Sequence, residues 1–125
     1  MIQTLLFVAL GGALGSALRY LVNITLPRLF GHGFPYATMT VNVLGSFAMG
    51  VIVVVLAMKG GNRFAPFLMT GILGGFTTFS AFSLDAAKLV ETGEIGTAAV
   101  YVLGSVGLGL AALFAGMAFA RGFFV

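Results

Sequence analysis

The residues best able to do chemistry in this chain lie at 70–83: Thr-Gly-Ile-Leu-Gly-Gly-Phe-Thr-Thr-Phe-Ser-Ala-Phe-Ser. Three glycines, three threonines and two serines fall within fourteen residues of an otherwise apolar run. In hydrocarbon every backbone N–H and C=O needs a partner, so a spanning helix has no reason to weaken itself unless the freed groups are used. Gly74-Gly75 lets the chain leave helical dihedral angles at low steric cost. The hydroxyls of Thr77, Thr78 and Ser80 can then cap a restarted helix, with Phe79 and Phe82 just beyond the expected break. Broken membrane helices commonly mark ion sites, because freed carbonyls can hold a cation. A Gly/Thr-rich packing face on an unbroken helix is the competing reading.

Other site chemistry has little to draw on. There are no cysteines and a single histidine, which removes thiolate metal sites, disulfides and Cys nucleophiles. No nucleophile–base pair, metal cluster or phosphate loop is present, so no enzyme reading survives.

The elements that must position residues 70–83 are membrane helices. The chain is 60% hydrophobic and 7% charged, against ~25% charged in soluble domains. With ~20 apolar residues needed per crossing, the 125 residues hold one transmembrane domain, 1–125. The expected fold class is an all-α membrane protein with helices over 2–26, 36–58, 64–91 (broken near 74–78) and 95–119. The first helix begins without a basic leader and runs past Arg19, so it is not expected to be a cleaved signal peptide.

Helical spacing puts Gly11, Gly15 and Arg19 on one face of the first helix, where the glycines permit close approach of a neighbour. Arg19 lies well inside the apolar span. It acts either as a snorkelling anchor or as an anion-attracting group at a wet vestibule. Thr38, Asn42 and Ser46 form a polar stripe on the second helix, either interhelical glue or the wall of a permeation path. Pro66 is tolerated in the first turn of the third helix, and Asp85, Lys88 and Glu91 place its far end at the membrane interface. Tyr101, Ser105 and Gly109 share a face of the fourth helix, beside Gly104 and Gly107. His32, alone in the first loop, receives no function. The sequon at Asn23 falls at a helix end and carries little weight.

Positive charge is evenly divided. Four helices place both termini and the second loop on one side, with Lys59, Arg63 and Arg121; the other side has Arg19, Arg28 and Lys88. Because Lys and Arg near helix ends set orientation, this tie specifies none, and insertion in both directions would let antiparallel copies pair. A four-helix bundle is also thin for a pore of its own, so the glycine faces and polar stripes point to at least a dimer.

With these residues assembled, the chain resembles the CrcB/Fluc family of fluoride channels. The resemblance covers nearly its whole length: Gly-Gly-Ala-Leu-Gly-Ser-Ala-Leu-Arg-Tyr at 11–20, Thr-x-x-x-Asn with Val41 and Gly45 in the second helix, and Gly-Gly-Phe-Thr-Thr-Phe-Ser-Ala-Phe in the third. It implies an antiparallel dual-topology homodimer in the cell inner or plasma membrane. Two fluoride pores and a central structural sodium ion, held by the backbone carbonyls of Gly74 and Thr77, come with that resemblance. It assigns Phe79, Phe82, Asn42, Thr38, Tyr101 and Ser105 to the pore and Arg19 to the vestibule. Where the family can carry a further serine on the fourth helix this chain has Gly109, leaving the last step of that polar track open. The alternatives are a small dual-topology multidrug transporter, disfavoured because Asp85, Glu91 and Glu94 cluster near one end, and a non-conducting membrane assembly subunit.

Overall fold

The computed structural model describes residues 1–124, and these are helical with no strand. Four segments are long and apolar enough to cross a membrane: Ile2–Phe30, Tyr36–Lys59, Asn62–Glu91 and Ile95–Phe123. The first two are single helices, α1 (Ile2–Phe30) and α2 (Tyr36–Lys59). α1 runs past the expected Leu26, with Pro27 inside it, and stops at Gly31, whose φ of 83° leaves the helical region while its N–H still reaches the Pro27 carbonyl. That backbone angle suits glycine, which has no Cβ to clash.

The third span is composite. A 3-10 turn, Asn62–Phe64, leads into a π-helix, Pro66–Leu73, and one α-helical turn, α3 (Gly74–Phe76). After two extended residues the chain restarts as α4 (Phe79–Glu91). A tight turn through Gly93 leads to α5 (Ile95–Phe124). The π-helix is a departure from the plain helix expected over this region; nothing in the apolar pattern distinguishes the two.

Glycines set which helices touch. A Cβ on Gly11 would stand 2.6 Å from the Phe67 carbonyl oxygen, and one on Gly75 would stand 2.6 Å from that of Gly12. A Cβ on Gly15 would run into the Ile72 carbonyl. α1 therefore lies backbone to backbone against the π-helix and α3, on the face that carries Arg19. The second close pair is α2 with α5, where Cβ atoms on Gly50 and Gly116 would collide with the Leu113 and Phe47 carbonyls. Between the pairs, a Cβ on Gly45 would strike the Thr77 methyl group. Such approach yields dispersion contact where the hydrophobic effect between helices is absent. Few large side chains are buried, Tyr101 and Val41 most fully, while leucines and phenylalanines on every span face outward, as a hydrocarbon solvent allows.

Candidate functional site

The third span breaks at Thr77 and Thr78, whose ψ angles of 160° and 120° are extended. This corrects the expectation that Gly74-Gly75 makes the break: Gly74 is helical, and Gly75 instead admits α1. The threonines act in opposite directions. Thr77 closes the first half, its N–H and Oγ1 both donating to the Leu73 carbonyl at 3.0 and 2.9 Å. Thr78 opens the second half as N-cap of α4, its Oγ1 accepting from Ala81 N–H at 3.1 Å. Ser80 does not cap the backbone; its hydroxyl lies 3.2 Å from that of Thr78.

Asn42 holds the break open. Its Oδ1 accepts from Thr78 N–H at 2.8 Å, and its Nδ2 donates to the Thr78 carbonyl at 3.0 Å. One amide side chain thus satisfies both backbone groups of an extended residue at membrane depth, where leaving either unpaired is costly. This pairing also decides which carbonyls lose their helical partners. In a continuous helix Gly74 C=O would accept from Thr78 N–H and Thr77 C=O from Ala81 N–H, but those donors go to Asn42 and to the Thr78 hydroxyl. The Gly75 carbonyl is taken by Arg19 Nε at 3.0 Å. Gly74, exposed on the surface of the chain, and Thr77 are left with released carbonyls.

Two cavities flank this arrangement. One of about 500 Å³ opens among the first loop, α4 and the third loop, and includes Thr38, Asp85 and Lys88 in its walls. The other, about 300 Å³, lies at the break against Asn42, Ser46, Thr77, Thr78 and Phe79. The α2 stripe runs from one to the other. At the wall of the first cavity Thr38 Oγ1 donates to Asp85 Oδ2 at 2.7 Å, and the Tyr101 hydroxyl donates to the same oxygen at 3.2 Å. Phe82 packs on Tyr101 with ring centroids 5.2 Å apart, and Phe79 lies 5.8 Å from Phe82.

Thr38, Asn42, Phe79, Phe82 and Tyr101 therefore form one connected set. Ser105 lies further along α5, and its hydroxyl is buried without a hydrogen-bond partner. Arg19 is half-buried on α1 and reaches the set only through the Gly75 carbonyl. Asp85 is the residue the sequence reading missed. Placed at the interface for its charge alone, it instead ties α4 to α2 and α5. Its spacing from Phe82 on the same helix was the available signal.

A sequence model of the family described as CrcB-like protein, Camphor Resistance (CrcB), matches residues 6–117. The chain belongs to the CrcB-like family. A fluoride-specific ion channel FluC of Cereibacter sphaeroides is 69% identical over 122 residues, 98% of either chain. Another from Paracoccus denitrificans is 60% identical over 122 residues, again 98% of each, and one from Rhodopseudomonas palustris is 56% identical over 121 residues, 95% of this chain and 98% of that one. The span matched by the CrcB-like model takes in the break, the α2 stripe and the polar face of α5, so every residue of the set above lies inside it.

Proposed function

We propose that this multi-pass membrane protein is a fluoride-selective channel that lowers cytoplasmic fluoride by passive export. The observation that carries this is the polar line Thr38–Asn42–Ser46 between two cavities, with the restarted helix beside it and Phe79 79% exposed. A phenylalanine so exposed adds little to packing within the chain. Fluoride is small and strongly hydrated, so its water must be replaced by N–H, O–H and other electropositive groups. Asn42 Nδ2 keeps a second hydrogen after serving Thr78, Ser105 keeps an unused hydroxyl, and phenyl edges carry positive charge. The relatives named as fluoride-specific channels, similar along their whole length, support the same reading.

The working unit in this proposal is an antiparallel dual-topology homodimer with two pores. The released carbonyls of Gly74 and Thr77 are hard oxygen donors, suited to a hard cation such as sodium. Two such donors are few for a hard cation, which commonly takes about six oxygens; a second copy across a two-fold axis would double them. A sodium ion there would neutralise carbonyl dipoles and pin the two breaks together. The cavity reaching Asp85 from the loops places that carboxylate at the wall of an open vestibule, not isolated in hydrocarbon, so it does not revive a proton-coupled carrier.

Purified protein in liposomes tests the activity: fluoride should leave quickly and chloride should not, without any imposed proton gradient. Equal rates for the two anions, or none above protein-free liposomes, would overturn the proposal. Orientation is read separately. C-terminal reporters should appear on both sides of the membrane, and two lysines added to loop 59–63 should force one orientation and impair assembly. A single orientation in the unmodified protein would remove dual topology.

A further inference from the structure

Ser46 is the third residue of the α2 stripe, one turn beyond Asn42, and it shares the cavity of about 300 Å³ with Asn42, Thr77, Thr78 and Phe79. Across from it stands Gly109 of α5. A Cβ built at Gly109 meets one neighbour only, Ser46 Oγ at 3.7 Å. The position on α5 in line with Tyr101 and Ser105 thus has no side chain, and the α2 hydroxyl occupies the ground in front of it. Among the described residues, Ser46 Oγ makes no hydrogen bond, although a helical serine can donate back to its own helix. Ser83 does so here, to Phe79. Within hydrocarbon an unused O–H beside a cavity is costly unless something that enters the cavity accepts from it.

We infer that Ser46 is an anion-coordinating residue of the ion path, which supplies from α2 the hydroxyl that Gly109 withholds on α5. The path then crosses from one helix to the other: Ser105 donates from α5, Ser46 from α2, with Asn42 between the vestibule and Ser46. Chemically the ligand is a small, hard, strongly hydrated anion, since a lone hydroxyl offers one short donor and no room for bidentate recognition. This rests on the channel reading above.

The test is liposome efflux of fluoride through wild type, Ser46→Ala, and Ser46→Ala combined with Gly109→Ser. A hydrogen bond to a charged group is strong enough that losing it should lower flux by about tenfold or more. Gly109→Ser in the Ser46→Ala background should recover most of that loss. It returns a hydroxyl from α5 next to the position that Ser46 Oγ occupied, and its Cβ meets only ordinary contact distance. A purely structural serine would not be rescued by a hydroxyl on another helix. Should Ser46→Ala assemble poorly, the nearly isosteric pair Ser46→Thr and Ser46→Val replaces it, with Thr conducting and Val not. Wild-type flux through Ser46→Ala, no rescue by Gly109→Ser, or equal flux through Thr and Val variants would each overturn the inference. A wild-type protein that passes no fluoride would instead overturn the channel reading itself.

Discussion

Before Thr77 the third span is held by backbone packing, and after Thr78 it is held by polar side chains. The π-helix and α3 press against α1 at positions where even a methyl group would collide, and Gly71 and Leu73 are buried. α4 has no buried residue. It is tethered by the Thr38–Asp85 and Tyr101–Asp85 hydrogen bonds, and its start is set by Asn42 and the Thr78 cap. Close packing holds the first half up to the break, and Asn42 with the Thr78 cap sets where the second half restarts. The second half leaves Phe79 and Ser80 exposed. Packed backbone and exposed side chains are thus separated along one span, at the two residues beside which the proposed ion path runs.

The comparison predicts its largest stability effect on the packed side. Gly15→Val puts a branched side chain into the Ile72 carbonyl and Phe76 N–H. Overpacking commonly costs ~1–3 kcal/mol and more where backbone is struck, so this variant should yield little assembled protein on size-exclusion chromatography. Gly12→Ala is the control, since its added Cβ meets nothing within 4 Å, and its melting temperature should match wild type. Equal melting temperatures for both would break the claim that backbone approach holds this half.

At the junction, Asn42→Leu should come next. It keeps the side-chain size and leaves Thr78 N–H and C=O unpaired, about 1–3 kcal/mol for each buried group. Reduced thermal stability and loss of fluoride flux are both expected. A variant with wild-type stability would show that the break does not depend on that amide.

The unequal legibility of the two halves has a physical cause. Gly11, Gly15 and Arg19 could be placed on one contact face from spacing alone, because a missing Cβ at helical period has a direct geometric consequence. The break falls within the expected 74–78, but the residues that make it were misread, because Gly74-Gly75 serves equally for bending and for close approach. Which use prevails depends on α1, whose residues lie about sixty positions away along the chain. The partners of Asn42 and Asp85 were hidden for the same reason: Thr78 and Thr38 lie 36 and 47 residues from them. A carboxylate beyond the break looks like an interface residue until its Oδ2 is seen to accept two hydrogen bonds. Phe79 with Phe82, and separately the α2 stripe, were legible because the spacing within each is local.

On the polar side the stability effects should be smaller. Asp85→Ala leaves the Thr38 and Tyr101 hydroxyls without their shared acceptor, for a loss of about 1–3 kcal/mol. Asp85→Asn keeps an acceptor oxygen and should recover most of it, as thermal melts in detergent would show. If Asn and Ala variants melt together, the carboxylate is not the tie between α2, α4 and α5.

Phe79→Leu should have the smallest stability effect and bears most directly on the central claim, that the side chains beyond the break conduct while those before it hold the fold. With its ring 79% exposed, replacement by leucine should leave assembly and melting temperature unchanged; what is lost is the ring's quadrupole. The measurement is fluoride efflux from liposomes holding Phe79→Leu, set beside its melting temperature and assembled yield. A normally assembled protein with sharply reduced flux is the expected result. A normally assembled protein with wild-type flux would contradict the account and return Phe79 to plain surface packing.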